Sequence, residues 1–115
     1  PPRSTLFPYT TLFRSDQHPL VRQHACEALG KLNSYRPTRT LLEIAEEDDN
    51  VFVQQAAIKA IGEIGNRNAV EPLKRLLKKR IFFLIPALEE ALTRLGVTRS
   101  EIDRLEGFDP PGSDR

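Results

Sequence analysis

Two stretches of the chain are the same unit written twice, 32 positions apart: Val-Arg-Gln-His-Ala-Cys-Glu-Ala-Leu-Gly from Val21 to Gly30, and Val-Gln-Gln-Ala-Ala-Ile-Lys-Ala-Ile-Gly from Val53 to Gly62. A period of this length signals a stacked array, in which no unit buries its apolar face without a neighbour. A third copy, slipped by one residue, sets Leu84, Leu88, Ala91, Leu92, Leu95 and Gly96 under Val53, Ala57, Ala60, Ile61, Ile64 and Gly65. About three copies are needed for a stable array.

Each copy has helical periodicity. Val21, Ala25, Ala28, Leu29 and Leu32 recur at spacings of three and four, as one helix face requires, and Val53, Ala57, Ala60, Ile61 and Ile64 repeat the face. Small residues at 25, 28, 57 and 60 allow a neighbouring helix to approach closely, and Gly30 and Gly62 leave room near the helix ends. A second, shorter helix follows each: Pro37 suits a first turn ahead of Leu41, Ile44 and Ala45, and Pro72 sits early in the run Val70, Leu73, Leu76, Leu77. Asp16 and Asp48 stand where a carboxylate can cap the first helices. The pattern predicts helices near 19–33, 37–47, 50–65, 68–79, 81–96 and 100–107.

On these residues the chain resembles the HEAT-like repeats of the phycobilisome-lyase type. That unit runs Asp, a few residues, Val-Arg, then Ala-x-x-Ala-Leu-Gly and a helix with Leu-x-x-Leu. Asp16, Val21, Arg22, Ala25, Ala28, Leu29 and Gly30 follow it, as do Asp48, Val53, Ala57, Ala60, Ile61, Gly62, Pro72 and Leu73. Gln54 replaces the usual Arg, which implies loss of a charged inter-repeat contact in the second unit. The third unit lacks the opening Asp and carries Pro86 in its first turn. The resemblance covers about 16–96 and implies an all-α, right-handed α-α superhelix, a HEAT-like solenoid of about three helix-hairpin repeats at 16–47, 48–80 and 81–107.

The ends differ from the array. Residues 4–15 resemble sequencing adaptor read as protein at the edge of a metagenomic fragment, so 1–15 is expected to be a non-native or disordered arm. The alternative is a short β-prone arm whose Phe7, Tyr9, Leu12 and Phe13 cover a repeat edge. Residues 108–115 have the composition of a frayed tail. The chain contains no Met, and a fragment of a longer reading frame is expected. Neither end of the array shows a polar capping repeat, so the isolated chain is expected to be marginal or self-associating, and monomeric in its full-length context.

Charged residues make up 29% of the chain but the net charge is only +1, so nothing pulls it in bulk toward nucleic acid or an acidic membrane. Phe82-Phe83-Leu84-Ile85 is too short an apolar run to span a bilayer. Cys26 has no partner for an internal disulfide and aligns with Ile58, so it is expected in the core of a protein in a reducing, cytoplasmic compartment. The basic run Lys74, Arg75, Lys78, Lys79, Arg80 invites a nucleic-acid reading. At the repeat offset, however, Glu27 falls opposite Lys59, Lys31 opposite Glu63, Arg39 opposite Glu71, Glu43 opposite Arg75, Glu46 opposite Lys78, Glu47 opposite Lys79 and Asp48 opposite Arg80. Lys59 then faces Glu90 and Glu63 faces Arg94. These alternations predict inter-repeat ion pairs that hold register.

Catalysis has little support. His18 and His24 lie six apart and point in different directions on a helix, which argues against a metal face. His18 is expected as a solvated first-turn residue and His24 as a surface residue. Glu46-Glu47-Asp48-Asp49 lacks the spacing of a calcium loop. No phosphate-cradling loop or nucleophile elbow occurs. Deoxyhypusine hydroxylases, which resemble this repeat type, carry His-Glu pairs for a di-iron site; the equivalent Gln23-His24 and Gln55-Ala56 do not. HEAT-like DNA glycosylases use aromatic and acidic groups in a basic groove, which a charge-balanced chain without Trp does not match.

The sequence therefore points to a non-enzymatic scaffold, without cofactor or metal, that holds another protein on a concave surface lined by its second helices. Candidate contact residues are Arg39, Glu43 and Glu46 from one unit and Glu71, Lys74, Arg75 and Lys78 from the next, the alternative being solvated helix faces. A module associated with an enzyme, such as a phycobilin lyase-like subunit or a maturation factor, is the second class.

Overall fold

The computed structural model describes residues 18–107. Among these residues the helical periodicity read from the repeats becomes six α-helices: α1 (Pro19–Gly30), α2 (Thr38–Glu47), α3 (Val51–Ile64), α4 (Val70–Lys78), α5 (Ile85–Arg94) and α6 (Arg99–Leu105). Three-residue 3-10 turns, Arg67–Ala69 and Phe82–Leu84, lead into α4 and α5. The first helices α1, α3 and α5 lie side by side in one layer, and α2, α4 and α6 form the second. The arm 1–15, the tail 108–115 and Asp16 lie outside the described residues.

Small residues set the spacing of the first layer. A Cβ added to Gly30 would lie 2.8 Å from Ala60 Cβ and 2.9 Å from Ala60 Cα; one on Gly62 would lie 3.1 Å from Ala91 Cα and 3.3 Å from Ala91 Cβ. The contact is the same one made twice, glycine near the end of one helix against alanine of the next. Between the layers sits a continuous core in which Leu41, Ile44, Val53, Ala57, Ile58, Ile61, Leu73, Leu77, Leu84, Leu88, Leu92 and Ile102 are wholly buried. The one-residue slip expected for the third copy holds: Leu84, Leu88, Ala91, Leu92 and Leu95 all face inward.

Each second helix packs chiefly on the first helix of the following unit, α2 on α3 and α4 on α5, rather than on its own predecessor. Gln54 contributes to this seam, its Nε2 donating to Ala45 O at the end of α2 (2.9 Å). Asn66 Nδ2 donates to Thr38 Oγ1 (3.3 Å) and fastens the turn before α4 to the start of α2.

The caps differ from expectation in instructive ways. Asn50, not Asp48, caps α3, its Oδ1 accepting from the Phe52 and Val53 amides. Asp48 accepts from the Asn50 amide (2.9 Å) and from Arg22. His18 caps α1, Nδ1 accepting from the Leu20 amide (3.0 Å), so it precedes the first turn rather than joining it. Pro86 falls at the start of α5, where a helix needs no amide donor, and is no obstacle. Pro37 is the residue before α2.

The expected apolar face of α1 needs correction. Val21 and Leu32 are 55% and 52% exposed and Ala28 is also exposed, whereas Arg22, Cys26 and Gly30 are buried. The cause is position in the stack. Of the equivalent residues of α3, Val53 and Ala60 are buried, Ala60 against Gly30 of α1, and Ile64 is half-buried, while the far side of α1 meets no helix of the described array. The other end is also unlike the expectation of two bare faces. There α6 folds back on α4 and α5, burying Ile102 and Val97 beneath it.

Candidate functional site

The second-layer helices turn their apolar residues inward for the reason any amphipathic helix does, and this leaves two outward stripes in matching phase. On α2, Thr38, Leu41, Ile44 and Ala45 are buried while Arg39, Glu46 and Glu47 are exposed and Glu43 is half-buried. On α4, Leu73, Leu76 and Leu77 are buried while Glu71, Arg75 and Lys78 are exposed. Arg39, Glu43 and Glu46 thus occupy the same face of α2 as Glu71, Arg75 and Lys78 on α4.

The two stripes are electrically opposite. On α4, Glu71 lies in the first turn and Arg75 and Lys78 in the last, which complements the helix dipole. On α2 the order is reversed, with Arg39 near the start and Glu46 and Glu47 at the end. Glu43 Oε1 is buried without a hydrogen-bond partner. Partial burial pushes its carboxyl above the usual carboxylate range, Glu47 and Glu46 add to the rise, and Arg39 opposes it.

Lys74 has a different role from its neighbours. It is largely covered and bonded to Glu101 on α6, with Glu71 at 3.6 Å, and these carboxylates raise its pKa; the same bond lowers that of Glu101. It is a strut between α4 and α6.

The expected inter-repeat ion pairs are not made. Among the described residues none of Glu27–Lys59, Lys31–Glu63, Arg39–Glu71, Glu43–Arg75, Glu46–Lys78, Glu47–Lys79, Asp48–Arg80, Lys59–Glu90 or Glu63–Arg94 closes to an ion pair. The first-layer columns do converge: Glu27, Lys31, Lys59 and Glu63 line one shallow groove, and Lys59, Glu90 and Arg94 the next. Helix axes ~8–10 Å apart set equivalent side chains beside each other without bringing their charged ends into contact.

Besides Lys74 with Glu101, which joins the second unit to the third, Arg22 with Asp48 joins the first unit to the second. Arg22 Nε donates to Asp48 Oδ2 (2.9 Å) and Nη2 to Oδ1 (3.1 Å), both side chains being buried, and Nη2 also reaches the exposed Asp49 (3.3 Å). The charged contact implied by the Val-Arg motif is thus present in the first unit. In the second, Gln54 replaces the Arg, and Arg80 stands in place of Asp48, turned outward at φ 58° with Nη1 donating to Glu106 O.

Two further features carry chemistry. Cys26 is sealed in the core; burial, aided by the Asp48 and Glu27 charges against Arg22, pushes its thiol up to about 12. An apolar column, Leu20, Phe52 and Phe83, stands exposed at the leading tips of α1, α3 and α5, with Phe82 packed edge-to-face on Phe83 (centroids 5.5 Å apart). Gln55 Nε2, donating to Phe83 O (2.8 Å), ties α3 to the turn before α5. Its signal lay in the repeat offsets, at positions adjoining the core stripe.

Known proteins place these features in a family. The family of HEAT repeats matches residues 9–93. Bilin biosynthesis protein PecE of Mastigocladus laminosus is 36% identical over 83 residues, which cover 72% of this chain and 30% of that protein. PecE of a Nostoc species is also 36% identical over 83 residues, covering 32% of its length. The chain thus spans about a third of the curated relatives it matches. No described helix is long and apolar enough to cross a membrane. With three in-phase units stacked through the same glycine–alanine contact and a match over most of its length, the chain belongs to the HEAT-repeat family.

Proposed function

We propose that this chain is a scaffold segment that binds a partner protein across the outer stripes of α2 and α4, with a basic segment of the partner on Glu43 and Glu46 and an acidic one on Arg75 and Lys78. The observation that carries it is the charge order of α2. Arg39 at its start and Glu46 and Glu47 at its end oppose the helix dipole, at a cost of roughly 0.3–1 kcal/mol each, and Glu43 holds a buried oxygen without a partner. Locally unfavourable choices of this kind concentrate where a surface is used. Arg39 and Glu71 flank the surface, and Lys74 positions α4 from behind. The role is one of binding rather than catalysis, in keeping with a cysteine whose raised pKa leaves it without thiolate character.

The 36% identity to PecE favours a second reading, in which these repeats serve within a protein of bilin biosynthesis, as a lyase-like subunit or maturation factor. Both readings need a gripped partner.

The test compares proteins captured by the immobilised chain with those captured by a Glu43→Lys, Glu46→Lys, Arg75→Glu, Lys78→Glu variant. Loss of a retained protein at unchanged fold supports the α2–α4 surface. Retention there, with loss on Phe52→Ser, Phe83→Ser, assigns binding to the apolar tips instead.

A further inference from the structure

We propose that the array has a direction: its N-terminal end face, carried by Val21, Ala25 and Ala28 on α1 and Leu32 just after it, is a docking site for one further repeat of this same kind, while the C-terminal end refuses one in that geometry. Two interfaces already present show what covers such a face. Val21, Ala28 and Leu32 are exposed, but their equivalents are covered: Val53 and Ala60 are buried and Ile64 half-buried in the second unit, and Leu84, Ala91 and Leu95 are buried in the third. In both internal interfaces the covering element is a first-layer helix that sets a glycine on the alanine, Gly30 on Ala60 and Gly62 on Ala91. Ala28 is the same alanine, exposed, with no glycine of the described helices against it.

The exposed tips provide an internal control. Leu20, Phe52 and Phe83 remain exposed in all three units, so exposure there comes with the repeat, whereas exposure at Val21, Ala28 and Leu32 occurs only at the end. Continuation of the established interface therefore identifies the occupant as a helix with glycine at the position of Gly30.

The opposite end is closed twice over. Where Gly30 and Gly62 allow close approach, α5 carries Thr93, whose branched Cβ occupies the space that a single added Cβ already overfills at Gly30. Beyond it, Arg99 on α6 reaches Glu89 of α5 (3.4 Å) and Asp103 (2.9 Å) and Glu106 (3.6 Å) of its own helical segment, and Arg80 donates to Glu106 O. A polar end of this kind is what terminates a stack.

The test is a unit duplication in the full chain. Residues 16–47 are repeated in tandem ahead of residue 16 in one variant and inserted between residues 107 and 108 in another. The first is expected to raise Tm by about 5 °C or more, in one cooperative transition. The second is expected to leave Tm unchanged. Ala28→Arg in the original copy is expected to abolish the gain of the first variant and to leave the parent chain's Tm unchanged. Equal gains at both ends, or no gain at the N-terminal end, overturn the proposal. So does sedimentation showing that the parent chain dimerises and that Ala28→Arg makes it monomeric, because the face then belongs to a second copy.

Discussion

The two interfaces between successive units use one geometry and different chemistry. Between α1 and α3 the glycine fit is tightest, and a buried, two-pronged Arg22–Asp48 pair ties the first unit to the second. Between α3 and α5 the fit is a few tenths of an ångström looser, Gln54 replaces the arginine, and its amide serves the α2–α3 seam. The first interface gains specificity from an interaction that is costly to break; the second relies on apolar packing, helped by α6. Buried ion pairs add little net stability over hydrophobic substitutes, but removing one partner strands the other.

The largest expected effect follows from that asymmetry. Arg22→Met takes the buried guanidinium away from the buried Asp48 carboxylate and is expected to cost about 3 kcal/mol or more in chemical denaturation, whereas Gln54→Ala, at the equivalent position, costs about 1 kcal/mol. Similar losses at both positions would remove the distinction between the interfaces. Next in size, Gly30→Ala is expected to destabilise by roughly 1–3 kcal/mol through contact with Ala60, and Gly62→Ala by less, since Ala91 has only to yield slightly and the helix gains propensity. Thermal melts of the two single variants give the order directly.

Acid titration probes the looser end. The Glu101 carboxyl is held below its ordinary value of 4.5 by Lys74, so its contribution is present above that value and fades as pH falls through the lowered one. Glu106 behaves oppositely: its hydrogen bond with Glu89 raises its pKa, so stability declines as pH climbs from 4.5 through the raised value. Glu106→Gln is expected to remove that decline and leave the C-terminal end more stable at pH 7 than in the parent chain, by urea melts across pH 4–7. The smallest effect concerns Glu43 and Arg75. No ion pair joins them, so charge reversal of both is expected to equal the sum of the single reversals within about 0.5 kcal/mol. A strong rescue in the double variant would restore the inter-repeat pairing expected from the sequence.

What the sequence made legible was whatever the repeat imposes on every unit. Helix positions, the one-residue slip at Leu84–Leu95 and the role of Gly30 and Gly62 all follow from periodicity, because backbones must stack before anything else is decided. Val21 and Leu32 were misread because equivalence by offset assumes a neighbour on both sides, which an end helix lacks. The ion pairs were misread for a related reason: matching positions are a helix diameter apart, while Arg22 reaches Asp48 by running diagonally across the seam. For the binding stripes, the sequence gives phase and sign, but the unpartnered Glu43 oxygen and the withdrawal of Lys74 into a strut depend on packing.

The seating of α2 on α3 and of α4 on α5 puts the covalent period and the mechanical period out of step by one helix. Under load or mild denaturant, α1 is the piece that rests chiefly on one neighbour among the described helices, α3, so slow amide exchange is expected to vanish there first. Anyone cutting this chain into minimal modules has reason to place the scissors in the segment 31–37, leaving α2 with the partner it actually rests on.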